Sequence, residues 1–309
     1  MANLKNIVDV TDEIVEGFAD KMGKVQKKLY NKVFAIVKEI SVDADGNIKR
    51  TVDNFNKVNR IQSTLQSVVN NPEYKKLVGT LNSSIKDITK LQEKFFKKEI
   101  DDFTDPKILE TLKKQSLDNA VTQLTEAGIN ANVSEAAGKI VSDGVKAGDS
   151  FFKMNRQLQD FILGTPDVPG KLVSYTKQVV NDTLHGQARN FNSLVAVDLE
   201  LQWYQYVGAL VKGVKNKTNN KRHGGSREWC IALVSKQWIH ESELPAICRG
   251  NIGGKTVSLA GLMPNTTKDN VVDRCGGYNC NHQMIPVPAE FVPKNIRAKF
   301  EKNENEEET

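Results

Sequence analysis

The hydrophobic period of this chain changes once, near residue 198, and that change limits what it can fold into. Upstream, apolar residues recur every three or four positions, the spacing that places them on one face of an α-helix. Downstream they alternate with polar or opposite-facing neighbours, the spacing of a strand. From Thr11, expected as an N-cap, one stripe runs through Ile14, Phe18, Met22, Val25, Leu29, Val33, Ile36 and Ile40. A second runs through Val52, Phe55, Val58, Ile61, Leu65 and Val68 and stops at Asn71-Pro72, where proline lacks the amide a continuing helix needs. A third follows Leu77, Leu81, Ile85, Ile88, Leu91 and Phe95. Short loops between helices of this length predict antiparallel neighbours, as in a bundle.

Past residue 100, Asp105-Pro106 reads as an N-cap with proline at the first helical position, and Gly128 as a helix stop. Residues 134–163 are a weaker helical segment, because Gly138, Gly144 and Gly148 each cost about 1 kcal/mol relative to alanine. Residues 164–170 form a turn-rich linker, and Leu172, Tyr175, Val179, Leu184, Phe191 and Leu194 predict a last long helix. After Leu199, the residues Leu201, Trp203, Gln205 and Val207 alternate with Gln202, Tyr204, Tyr206 and Gly208 as a strand. Residues 212–227 read as an exposed loop or hairpin. The remainder is short strands and turns, with a short helix beginning at Ser242 and a solvated acidic tail over 301–309. The expected fold class is α+β. An elongated helical assembly region, 1–198, precedes a compact mixed module, 199–300, which holds all four Cys and all three Trp.

A chain of 309 residues has room for about two domains and needs no staple to bury a core. Its net charge of +5, from 43 basic and 38 acidic residues, is too mild for a histone-like coat on nucleic acid. No apolar run approaches the roughly 18 residues of a membrane span. The first residues carry no apolar signal segment, which predicts synthesis in a cytosol-like compartment. Four cysteines do not make a disulfide scaffold.

Three clusters carry chemistry-bearing residues. Asp43, Asp45, Gly46 and Asn47 look like half a calcium loop, but position 12 of that loop is Asn54 rather than the bidentate glutamate calcium needs. A turn joining two helices is the expectation there. Lys212, Lys215, Lys217, Lys221, Arg222 and Arg227 follow one another without an intervening acid. Such a segment can neutralise nucleic-acid phosphates, dock on an acidic protein, or remain a solvated loop. The third cluster is Cys230, His240, Cys280 and His282, whose thiolate and imidazole groups are the ligands zinc prefers. The Cys-x-His spacing is not the usual Cys-x2-Cys knuckle. A strand–turn–strand knot with Cys230 and Cys280 as small buried hydrophobes fits as well, and both readings stay open. A disulfide is disfavoured in a reducing cytosol. Cys280 and His282 share a strand face, but no base or oxyanion hole is visible for a nucleophilic thiol, so no catalytic residue is assigned. Gly276-Gly277 is expected to free the backbone for a tight turn.

At these residues the sequence resembles a known family. Ser-Arg-x-x-Cys, followed by Gly-Gly-Tyr-Asn-Cys-x-His-x-x-x-Pro-Val, is similar to the C-terminal module of MuF-type minor head (head morphogenesis) proteins of tailed bacteriophages. The likeness covers residues 203–287 and rests on Arg227, Cys230, Gly277, Asn279, Cys280, His282 and Pro286. The family's commoner ending is Asn-Cys-Arg-Cys. Here His282 replaces the last Cys and keeps the capacity to bind metal. The long helical N-terminal part, with its Asp-x-Asp-Gly-Asn-Ile-Lys turn at 43–49, also resembles the N-terminal helices of related phage structural proteins. The resemblance implies a structural, non-enzymatic virion protein, assembled in the host cytoplasm and present in few copies. It would act at the portal or inner capsid, with portal and capsid proteins and further copies of itself as partners, and contact packaged DNA or leave with it. Some members of the family carry toxin or nuclease modules, but no extra segment here is long enough for one. Two rival readings are a neck or tail ring component and a C-terminal nuclease or ADP-ribosyltransferase. The Cys/His region is short of the carboxylates a nuclease requires.

Overall fold

A computed structural model describes residues 2–101, 103–215, 222–223 and 225–307. The chain is α+β, with long helices through its first two thirds and small antiparallel sheets near its C-terminus. The apolar stripes become core. In α1 (Ala2–Val37) and the turn after it, Phe18, Met22, Val25, Leu29, Val33, Ile36 and Ile40 are all buried. Thr11 does not start this helix. Ile7 and Val8 extend the buried stripe upstream, and the Thr11 hydroxyl donates to the Ile7 carbonyl at 2.7 Å, which satisfies it inside the helix. Helices α2 (Val52–Gln66) and α3 (Pro72–Glu99) follow the second and third stripes.

Two expected boundaries move. α4 (Leu109–Gln123) begins after Asp105-Pro106, with the Leu109 amide donating to the Pro106 carbonyl at 3.0 Å. Gly128 lies inside α5 (Glu126–Ile129), which passes through a π-helical turn at Asn130–Ser134 into α6 (Glu135–Ala147). The stop falls at Gly148, left-handed at φ 66°. α7 (Phe151–Leu163) comes next. A two-residue hairpin, β1 (Gly164–Thr165) and β2 (Val168–Pro169), then leads into α8 (Lys171–Asp198).

The chain packs as two compact units. One takes in Glu13–Ser84 and Leu117–Val180; the other takes in the chain up to Asp12, Ile85–Ser116, and everything from Asn181 onward. Residue 198 therefore marks a change of local period. In packing, the strands after residue 198 share their unit with the first turns of α1, the second half of α3 and the last part of α8. In the first unit, Asp43 accepts the Asp45 and Asn47 amides and closes a turn after α1. Asn54 is fully buried; its Oδ1 accepts from the Ser41 amide, and its Nδ2 donates to the Ser41 and Lys49 carbonyls.

The second unit is built on a sheet of order β6-β3-β9: β3 (Trp203–Val207) is central, with β6 (Trp238–His240) and β9 (Gln283–Val287) antiparallel on either side. β4 (Val214–Lys215) and β5 (Arg222–His223) form a separate hairpin, as do β7 (Asn251–Ile252) and β8 (Lys255–Thr256). Register opposes Trp203 to His240 and Val287, and Tyr206 to Met284. Alternation then sorts the side chains. Tyr204, Tyr206, Ile239 and Met284 pack with Trp229, Cys230 and Leu233 of α9 (Glu228–Lys236) and with residues of α10 (Leu244–Cys248) and α11 (Val271–Arg274). Trp203, Trp238, Ile285 and Val287 face a second cluster with Phe95, Phe96, Phe103 and Phe191. Burial on both faces explains why every residue of β9 is inside. α12 (Lys294–Glu307) carries helical backbone into the segment expected as an acidic tail. Among the described residues, no helix is long and apolar enough to cross a membrane.

Candidate functional site

Three of the four nominated ligand residues come together. Cys230, on the first turn of α9, places its Sγ 4.0 Å from Cys280 Sγ, and Cys280 Sγ lies 3.6 Å from His282 Nδ1. The three are 1%, 2% and 4% exposed, so they form a closed cluster. Cys230 sits on a helix, which makes the motif a helix–turn–strand knot rather than the strand–turn–strand knot expected.

His240 is not part of it. As the register partner of Trp203, it belongs to the opposite sheet face, where its ring packs edge-on against Trp203 at 4.8 Å. Its Nδ1 pairs with Ser242 Oγ at 2.8 Å, and its backbone amide donates to Glu243 Oε2, which caps the short 3-10 turn Glu241–Glu243. The four-ligand expectation fails on strand parity.

The turn that presents Cys280 is tightly held. Gly277 has φ 88°, the backbone freedom the sequence predicts for the pair. Gly276 is glycine for space, since a Cβ there would lie 2.4 Å from Cys230 Sγ and 2.8 Å from Cys280 Sγ. Cys275 and Asn279 also take positive φ, 41° and 55°, a conformation that costs a non-glycine residue energy and persists only where its surroundings impose it. Those surroundings come from one face of α8. Asp182 Oδ1 accepts the Asn279 amide, and Arg189 donates to the Cys280 carbonyl at 2.8 Å and to the Asp273 carbonyl at 2.7 Å. Asn192 donates to Gln283, and Asp12 holds both His185 and Asn281. None of these anchors was singled out from the sequence. The signal was the spacing of Asp182, His185, Arg189 and Asn192, which puts them on one face of the helix.

The electrostatics separate the thiols. Cys280 is held well below the usual thiol range by the Cys230 thiol donating to it, with His282 and the Arg189 guanidinium adding to the effect against its burial. Cys230 is pushed up in consequence, by the same contact and by burial. Burial pushes Cys275 up to about 12. The Tyr206 hydroxyl is fully buried beside Cys230 without a conventional hydrogen-bond partner, and its ring stacks on His282 at 5.4 Å. The cluster can thus stabilise negative charge on sulfur and bind a soft cation.

The basic segment divides. Lys212 is exposed, Lys215 and Arg222 are register partners in the β4–β5 hairpin, and Lys217 and Lys221 lie outside the described residues. Val211 and Ser226 pin the base of that segment through two hydrogen bonds. Arg227 belongs to the knot instead: its Nη2 donates to the Tyr278 carbonyl at 2.6 Å, and its side chain passes against Gly261. A second basic surface escaped the sequence reading. Lys21, Lys24, Lys27, Lys28 and Lys76 line a groove of about 560 Å³ beside α1 and α3, with Glu73 bound to Lys28. Lysines at helical spacing on α1 were its signal. No protein-family model, curated protein or solved structure matches the chain.

Proposed function

We propose that this chain is a structural virion protein of the MuF type, a minor head protein of a tailed bacteriophage acting in head assembly at the portal or inner capsid. The reading is supported by one observation above others: residues of the family-like pattern that are far apart in sequence converge. Arg227 reaches the Tyr278 carbonyl, and Cys230 meets Cys280. The Asp182, Arg189 and Arg227 side chains bond the backbone of this knot and so hold its shape. Cys280, the thiol with the most thiolate character, is 2% exposed and closed to a substrate, which supports a non-enzymatic role. Portal and capsid proteins, further copies of the chain and packaged DNA are the partners in this reading. The lysine-lined groove supplies positive charge for an acidic or phosphate-bearing surface.

The test is fractionation of a lysate that contains the full-length chain with its phage. The chain is expected in DNA-filled heads, cross-linked through its lysines to portal or capsid subunits. Recovery only outside particles, or cross-links confined to tail proteins, overturns the reading, as does turnover of RNA or NAD by the purified full-length chain.

A further inference from the structure

We propose that Cys230, Cys280 and His282 bind a single zinc ion that ties α9 to the 275–282 turn leading into β9. The donor atoms of the three side chains lie within 4.8 Å of one another. Tetrahedral zinc, with Zn–S near 2.3 Å and Zn–N near 2.1 Å, sets its ligands about 3.8 Å apart for two sulfurs and about 3.6 Å for sulfur and nitrogen. The observed separations are 4.0 Å for Cys230 Sγ to Cys280 Sγ and 3.6 Å for Cys280 Sγ to His282 Nδ1. Movements of a few tenths of an ångström complete those two edges. A disulfide requires the sulfurs at about 2.05 Å, far closer than they stand.

The surroundings fit the same ion. Gly276 lets the turn pass against both sulfurs, which a Cβ there would meet at 2.4 Å and 2.8 Å. Two thiolates and a neutral imidazole bring a divalent ion to zero net charge, which removes the chief cost of burying it. Soft sulfur and imidazole donors favour zinc over magnesium or calcium. Enclosure at 1–4% exposure closes the site to a substrate, and its three protein ligands leave one tetrahedral corner to a non-protein ligand. The inference does not rest on the head-protein reading; a zinc-free chain could still be a minor head protein.

The experiment is elemental analysis of the full-length chain purified without chelator, followed by exchange with Co²⁺ and visible spectroscopy. The expected result is one zinc per chain, a thiolate-to-cobalt charge-transfer band with tetrahedral ligand-field bands, and a lower Tm after chelation. Cys280→Ser and His282→Gln should abolish the cobalt spectrum, while His240→Gln and Cys248→Ser should keep it. Should the cluster variants fail to fold, the wild-type chain still decides. Free thiols with neither zinc nor a cobalt–thiolate band overturn the proposal, and so does a Cys230–Cys280 disulfide found by mass. Loss of metal in His240→Gln overturns the ligand set.

Discussion

Two sulfur atoms occupy the space where a side chain at Gly276 would begin. Alanine there forces the turn or the sulfurs to move, and overpacking of this kind costs about 1–3 kcal/mol. Gly276→Ala is therefore expected to lower the thermal midpoint by a few degrees, measured by calorimetry on the full chain. An unchanged midpoint would show that the sulfurs have room to retreat. At this scale the sequence was partly legible. Cys230, Cys280 and His282 were named because thiols and imidazoles announce their chemistry. His240 carried the same announcement, but its place depends on which sheet face meets α9, a matter of tertiary packing. The anchors on α8 were missed for the opposite reason: Arg189 and Asn192 look like ordinary surface residues until the carbonyl of Cys280 and the side chain of Gln283 are known to lie against them.

Helices show how periodicity and capping differ as signals. The stripes in α1, α2 and α3 could be read because burial of an apolar face enforces helical spacing over many turns. The caps at Thr11 and Asp105 were misread, because a single side chain can satisfy its hydrogen bonds in more than one way. Thr11 bonds back to Ile7 within the helix. Short α9 carries too few turns for its spacing to stand out from the strands around it. The link between α1 and α2 depends on Asn54, whose side chain serves one amide and two carbonyls in the turn. Asn54→Ala would leave the Ser41 amide without its partner, while the Ser41 and Lys49 carbonyls keep the Lys49 and Thr51 amides, at a cost of about 1–3 kcal/mol. Urea unfolding should move to a clearly lower midpoint. A shift below about 0.5 kcal/mol, the range of ordinary surface substitutions, would mean that the turn holds itself.

For the whole molecule, local period and packing divide the chain differently. The switch from helix to strand spacing falls near 198, yet the compact unit around the sheet also takes residues up to Asp12 and from Ile85 to Ser116. Long-range pairings of that kind leave no periodic trace, so α+β could be read from the sequence while the composition of its units could not. The central claim is that the reactive-looking groups serve an enclosed structural knot. Pulsed alkylation of the full-length native chain, read by peptide mass, tests it most directly. Cys248, the half-buried thiol, should be labelled first, while Cys230, Cys275 and Cys280 should stay protected until the chain unfolds. Labelling of native Cys280 at the pace of an open thiolate would contradict the account and point to an accessible nucleophile instead.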